Sequence, residues 1–113
     1  MQLGQAEITR QSEQQYRISG TVNFSTVPGL MQRVVEFFKS FKRSATGPSK
    51  NDKVTIDLSP VTDCNSAGLA LLLEIDKHAH SKNINVHFEN LPEALLTIAK
   101  AYGVESEIRN ICK

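Results

Sequence analysis

One segment, from Val54 to Leu73, constrains the fold of this chain more than any other. Residues 53–58 alternate between polar and apolar, which is the pattern of a strand with one buried face. Residues 59–65 are mainly polar and predict a loop. Helical spacing begins at Ser66, and six of the seven residues at positions 67–73 are apolar. Because a helix that is apolar on nearly all sides is buried or covers a partner, this helix start is predicted to pack inside the fold or to meet another protein.

Strand-like and helix-like patterns alternate along the rest of the chain. Strands are predicted over residues 5–11, 15–22, 53–58 and 84–88, and helices over 27–42, 66–82 and from Asn90 onward. The order β-β-α-β-α-β-α predicts an α/β fold in which a mixed sheet with parallel pairs is covered mainly by helices. A length of 113 residues fits one compact domain, in which the turn-rich residues 43–52 form an exposed loop.

Polar residues mark the predicted starts of two helices. Asn90 precedes Glu93 by three residues, which is the spacing of a capping box. Ser66 lies where the central loop becomes a helix, close to unpaired backbone N–H groups and the positive end of the helix dipole. A hydroxyl there suits a helix cap, a phosphorylation switch or a partner contact. Spacing alone favours the cap, and Asn65 remains open as an alternative capping residue.

Composition and charge narrow the class of protein. The 13 basic and 12 acidic residues nearly balance, so nothing favours a nucleic acid or an anionic membrane surface as partner. No apolar run reaches the roughly 18 residues of a membrane span, and the first residues lack the pattern of a secretory signal. Two cysteines fit a reducing compartment best. We therefore expect a cytoplasmic protein that binds no nucleic acid and does not insert into a membrane.

The sequence contains no recognised motif for metal binding or for a serine nucleophile. The two cysteines and three histidines lack the spacing of metal ligands, and no Gly-x-Ser-x-Gly elbow is present. Asp57 and Asp63 flank the central loop, where a general acid–base pair is conceivable. Asp57 ends a strand, however, where an aspartate more commonly caps a turn. The prediction is a non-enzyme without cofactor or metal.

The central segment resembles the STAS domain family, whose members include anti-sigma-factor antagonists and transporter regulators. The resemblance lies in a strand ending in Asp57-Leu-Ser59, a loop, and the helix start Asn65-Ser-Ala-Gly68. Antagonists carry Asp-Ser-[Ser/Thr]-Gly at this junction, and a partner kinase phosphorylates the first hydroxyl residue of that motif. Aligned on Gly68, Ser66 matches the acceptor, whereas Asn65 replaces the Asp and Ala67 replaces the second hydroxyl residue.

The MlaB branch of the family is more similar still. The agreement lies in four short segments between Tyr16 and Ser106, namely Ile18–Val22, Ile56–Ser59, Gly68–Leu72 and Thr97–Gly103. Members of this branch are small cytoplasmic STAS subunits of phospholipid ABC transporters. A Thr occupies the position of Ser66 in that branch and matters for binding and activating the MlaF ATPase. The resemblance therefore implies a subunit that controls an ATPase without catalysis of its own.

Two functions follow from this resemblance. The first is a cytoplasmic, non-catalytic subunit that binds a MlaF-like ATPase, reaches a membrane permease only indirectly, and helps to maintain outer-membrane lipid asymmetry from the inner membrane. The second is an anti-sigma-factor antagonist switched by phosphorylation of Ser66. Asn65 weakens the second, because an Asp there would place a carboxylate beside the acceptor. The predicted partner-binding residues are Ser66, which is also the candidate phospho-acceptor, and Asp63, Cys64, Asn65, Ala67, Gly68 and Leu69. Small Ala67 and Gly68 are expected to let the partner approach closely.

Overall fold

Five strands and four helices form the described part of the chain, which comprises residues 6–12, 14–39 and 53–111 of a computed structural model. The strands are β1 (Ala6–Ser12), β2 (Gln15–Val22), β3 (Lys53–Asp57), β4 (Val61–Cys64) and β5 (Asn85–Glu89). The helices are α1 (Val27–Lys39), α2 (Ser66–Ser81), α3 (Glu93–Ala101) and α4 (Glu105–Asn110). The predicted loop over residues 43–52, and the end of the first predicted helix over residues 40–42, lie outside the described residues.

The strands form one mixed sheet, as the sequence pattern predicts. Its order is β1-β2-β3-β5, and β4 pairs with β2 beyond the end of β3. β1 and β2 are antiparallel neighbours, whereas β2–β3, β2–β4 and β3–β5 are parallel pairs. The antiparallel pair needs only a short turn, while each parallel pair requires a longer crossover connection. The predicted α/β fold class, with a mixed sheet and covering helices, is therefore confirmed.

The strand β4 is a difference from the sequence prediction, which has a loop over residues 59–65. Residues 61–64 pair in parallel with the last residues of β2, and Val22 lies opposite Cys64. Backbone bonds at both ends hold this pairing, from Gly20 N to Pro60 O (3.2 Å) and from Asn65 N to Val22 O (3.2 Å). A four-residue strand with exposed Thr62 and Asp63 carries little hydrophobic signal, so its pairing depends on tertiary contacts.

The hydrophobic core lies between the sheet and the helices that cover one of its faces. In α1 the buried residues are Leu30, Val34 and Phe38, which are spaced by four and form one stripe. The strands supply alternate residues, and the buried ones are Ile8, Tyr16, Ile18, Val22, Val54, Ile56, Val86 and Phe88. Each fully buried Leu, Ile or Phe contributes about 1.5–3 kcal/mol relative to its exposed state, so this layer dominates the stability of the fold.

The start of α3 is a second difference. Its N-cap is Pro92, which has no side-chain capping bond, so the predicted capping box of Asn90 and Glu93 is wrong. Asn90 lies two residues ahead of the cap, in a left-handed backbone conformation with φ of 58°. Asn tolerates this conformation better than most residues. From there its side chain donates to Asp57 Oδ1 at 2.9 Å and joins the ends of β5 and β3.

The first turn of α2 faces the core. Ala67 is 2% exposed and Leu69 is 4% exposed. Gly68 is also buried, and a Cβ atom added to it would lie 3.4 Å from Val22 Cγ1, 3.5 Å from Cys64 Cβ and 3.6 Å from Leu95 Cδ1. These are ordinary van der Waals distances, so the missing side chain of Gly68 points toward the interior and leaves room for a methyl group.

We predict that Gly68→Ala stabilises the protein by roughly 0.5–1 kcal/mol, because alanine favours a helix and its methyl group fits among the three neighbours. Urea denaturation measures the change in the free energy of unfolding. Gly103→Ala is the matched control: Gly103 has φ of +73°, so alanine there should destabilise by about 1 kcal/mol even though no atom crowds it. Destabilisation by Gly68→Ala would show that the first turn is packed more tightly than these distances indicate.

Candidate partner-binding site at the start of α2

The candidate site lies where two chain connections leave the sheet side by side. Val22 and Cys64 are paired at the ends of β2 and β4. The turn of residues 23–26 follows β2 and leads to α1, and Asn65 follows β4 and leads to α2. Because the carboxyl ends of parallel strands meet at one edge of a sheet, both connections emerge at the same edge. Ligands and partners of α/β folds commonly bind at such an edge.

Asn65 is the N-cap of α2. Its backbone is extended, with φ of −124° and ψ of −164°, and its side-chain Oδ1 accepts a hydrogen bond from Ala67 N at 2.8 Å. Its carbonyl accepts from Gly68 N at 2.9 Å. Ser66 is therefore the first residue of the helix, and the cap that spacing alone favours for Ser66 is provided by Asn65 instead. The extended backbone at position 65 decides this, because an N-cap residue requires a non-helical conformation.

The hydroxyl of Ser66 is left available by this arrangement. Ser66 is half-buried, and its side chain makes no hydrogen bond to any residue within 6–12, 14–39 or 53–111. It lies in the first turn of a 16-residue helix, where the backbone dipole favours an acceptor or an anion. A hydroxyl in this position can donate to a partner carbonyl or carry a phosphate group.

The other predicted site residues divide into a surface set and a buried set. Asp63 is exposed and forms no ion pair among the described residues, and Asn65 and Cys64 are half-buried. Ala67, Gly68 and Leu69 are buried, so they offer almost no surface to a partner. The predicted close approach over Ala67 and Gly68 does not fit this burial. Any contact at this site would be made by Asp63, Ser66 and their exposed neighbours.

Cys64 is poorly suited to nucleophilic chemistry. Burial raises the pKa of its thiol, and the negative charge of Asp63 raises that pKa further. The thiol therefore stays protonated at neutral pH, and the thiolate is the reactive form of cysteine. Cys64 is a small apolar residue of the sheet edge rather than a catalytic one.

Three residues near this site were missed by the sequence analysis. Ala70 is exposed and Leu73 is half-buried, and they lie four and seven residues after Ser66 on the same face of α2. Their spacing indicates that Ser66, Ala70 and Leu73 share one face of α2, but it identifies that face as exposed only when the buried face of the helix is known. Phe24 is 71% exposed in the turn after β2. In the sequence, Phe24 can be recognised as an aromatic residue that precedes α1 and does not belong to the apolar stripe of that helix.

Comparison with protein families identifies this architecture. The model of the MlaB STAS-domain family matches residues 8–110. The chain belongs to the STAS domain family. Within that family the matching model is the MlaB type, so the resemblance found in the sequence is confirmed. Comparison with curated protein sequences gives no match.

Solved structures support the same STAS fold. The unphosphorylated form of the anti-sigma factor antagonist SpoIIAA is similar with a TM-score of 0.64 and 9% sequence identity, over 89% of this chain and 83% of that one. The crystal structure of Mglu is similar with a TM-score of 0.56 and 15% identity, over 77% of this chain. The match spans only 19% of the Mglu chain. Identities this low establish the fold and no more.

Asp57 has a structural role in this STAS domain. Its carboxylate accepts from Ser59 N at 2.9 Å, from Ser59 Oγ at 3.0 Å and from Asn90 Nδ2 at 2.9 Å, and Arg17 Nε lies 3.5 Å from Oδ2. Burial alone would raise the pKa of Asp57, but the bonds from Asn90 and Ser59 and the charge of Arg17 outweigh it and lower that pKa. The carboxylate thus caps the turn after β3 and is held ionised, which does not suit a general acid.

Two further features were not found among the described residues. No three His, Cys, Asp or Glu side chains within the described ranges come together in a group that could hold a metal ion. Among the helices described, none is long and apolar enough to span a bilayer.

We predict that Asn65→Ala destabilises the protein by about 1 kcal/mol, since it removes the side-chain cap of α2. Ser66→Ala should change the free energy of unfolding by less than about 0.5 kcal/mol, because its hydroxyl has no partner among the described residues. Urea denaturation of both variants tests this assignment. Equal losses for the two substitutions would contradict Asn65 as the capping residue.

We also predict that Asp57→Asn destabilises the protein by roughly 1–3 kcal/mol at pH 7, because the asparagine cannot accept all three hydrogen bonds. The pKa of Asp57 is lower in the folded chain than its ordinary value of 3.8, so its contribution is present above that pH and is lost as the pH falls through the folded pKa. The difference between wild type and variant should therefore shrink below about pH 4. Exposed Asp63→Asn is the control, expected to change stability by less than about 0.5 kcal/mol. A difference that stays constant from pH 7 to pH 3 would contradict this role.

Proposed function

We propose that this protein is a non-catalytic STAS subunit that binds and regulates the ATPase of a phospholipid ABC transporter. The observation that carries the proposal is the match of the MlaB family model to residues 8–110. In this proposal the protein is cytoplasmic and reaches the inner membrane through the ATPase and, indirectly, through the permease. The transporter would serve to maintain the lipid asymmetry of the outer membrane.

The chemistry at the start of α2 supports a binding role. Ser66 keeps the hydroxyl of the Thr found there in the MlaB branch and lacks only a methyl group. That hydroxyl has no internal partner in the described part of the chain, and two exposed residues, Asp63 and Ala70, lie three residues before it and four residues after it in the chain. A partner can therefore gain a hydrogen bond without breaking one inside this protein, which lowers the cost of association.

A non-catalytic role also agrees with the groups that could otherwise react. Asp57 is occupied by Ser59, Asn90 and Arg17, and the Cys64 thiol is kept protonated. A regulatory subunit acts instead by binding one conformation of its partner better than another. Under this proposal the protein would favour the assembled or active state of the ATPase.

A second candidate function is an anti-sigma-factor antagonist, and the free Ser66 hydroxyl favours it. A phosphate on Ser66 would lie at a helix N-terminus, which tolerates anions, and would add about −1.5 to −2 charges to the surface. Asn65 argues against this function, because it supplies no carboxylate beside the acceptor. Intact mass after incubation with a cognate kinase and ATP tests it: a preparation that gains no phosphate excludes the switch.

We predict that the wild-type protein co-purifies with the ABC ATPase of a phospholipid transporter from the same organism, and that Ser66→Glu reduces co-purification at least about tenfold. The reason is that the glutamate adds bulk and charge at the contact and cannot donate the hydrogen bond. The experiment is co-expression followed by affinity purification and quantification of the ATPase. Ser106→Glu is a matched control, since it makes the same substitution in the first turn of α4. Failure of both wild type and Ser66→Glu to retain the ATPase would overturn the proposal.

A further inference from the structure

We infer that Phe24 is an anchor residue of the same interface. Its ring would enter an apolar pocket of the ATPase, beside the place where the ATPase contacts Ser66. This inference rests on the proposed function and adds a residue and a partner chemistry to it. It follows from the exposure of Phe24, the rigidity of its turn, its position relative to Ser66 and the charge beside it.

Phe24 is unusual because of its exposure. Its side chain is 71% exposed. Two of the other four phenylalanines, Phe38 and Phe88, are only 5% and 1% exposed. A free phenylalanine side chain in water forgoes roughly 1.5–3 kcal/mol of burial. Pro28, in the first turn of α1, is also exposed. Aromatic residues in such positions are enriched among the few that dominate binding energy.

The turn that carries Phe24 is held by hydrogen bonds on both sides of it. Asn23 Oδ1 accepts from Ser25 N at 2.9 Å and from Thr26 N at 3.1 Å, and Asn23 N donates to Thr26 Oγ1 at 2.9 Å. The Thr26 hydroxyl in turn donates to Thr21 O at 2.9 Å. Phe24 is therefore presented on a fixed backbone, and a partner pays little ordering entropy for the turn when it binds.

The sheet places Phe24 and Ser66 at one edge of the molecule. Val22 and Cys64 are paired in parallel, and Asn65 N donates to Val22 O at 3.2 Å. Phe24 and Ser66 each follow these paired strand ends by two residues. One partner surface can thus cover the aromatic ring and the hydroxyl together, with the ring as an apolar centre and the hydroxyl as a polar contact.

The surrounding charge favours a protein pocket with a cationic rim as the occupant. Exposed Asp63 lies on β4 next to this edge and has no cation partner in the described part of the chain. A Lys or Arg of the partner would complement it. The same carboxylate would repel an anionic lipid surface, so the charge at this edge favours a folded protein over a membrane as the binding partner.

The test is the affinity of purified ATPase for full-length Phe24→Ala, measured by titration calorimetry beside the wild type. We expect the dissociation constant to rise roughly 30-fold or more, as for truncation of an interface anchor. Tyr102→Ala is the matched control, because Tyr102 is 63% exposed elsewhere in the chain and its loss should change the affinity less than about threefold. Phe24→Leu, which keeps an apolar side chain, should fall between wild type and alanine. Equal thermal unfolding midpoints would show that the variants are folded.

The remaining outcomes separate this inference from the proposed function. If the wild type binds the ATPase and Phe24→Ala binds equally well, Phe24 is not an anchor, although the proposed function stands. If the wild type does not bind, the proposed function fails and the inference fails with it. If the free protein is a dimer that Phe24→Ala converts to a monomer without weakening ATPase binding, the occupant is a second copy and the inference is wrong.

Discussion

The parallel pairing of β4 with the end of β2 is the constraint on which the candidate site depends. The bond from Asn65 N to Val22 O fixes where β4 ends, and thus which residue has the extended backbone of the N-cap. With Asn65 as the cap, the first turn of α2 begins at Ser66 and its next three residues enter the core. Without this pairing, residues 59–65 would form a loop that leaves the start of the helix undetermined.

The capping assignment separates two demands that compete in a single polar side chain. A hydroxyl that caps a helix accepts a bond from a backbone N–H and contributes to stability, but that bond also fixes its orientation and so restricts the partner groups it can reach. Here Asn65 stabilises the helix, and Ser66 is spared that role. If Ser66 has the proposed role, this division would let its position be sensitive in function while contributing little to the free energy of folding. It also makes the effects of substitutions at the two positions experimentally separable.

Much of the fold could be predicted from the sequence because its elements are strongly patterned. The alternation of Val54 and Ile56 and the four-residue spacing of Leu30, Val34 and Phe38 identify strand and helix directly. β4 could not be predicted, because residues 61–64 form a strand by pairing with β2 and have no alternating apolar pattern of their own. Asn90 was misassigned because its capping-box spacing is a local signal, whereas its actual partner, Asp57, is 33 residues away in sequence. The predicted partner-binding residues stay a prediction, and the burial of Ala67, Gly68 and Leu69 among them could not be foreseen because it depends on which face of α2 meets the core.

The burial of the residues behind Ser66 has a consequence for how such a subunit can work. Ala67, Gly68 and Leu69 are part of the same packed layer as Val22 and Leu95, so Ser66 cannot shift without disturbing the interior. Packed interiors resist small continuous deformation. Under the proposed function the protein would therefore meet its partner as a fixed template, and the moving parts of the regulatory cycle would lie in the partner. Evolution of a new partner preference would then proceed by exchanging surface side chains such as those at positions 24, 63 and 70, while the backbone that displays them stays unchanged.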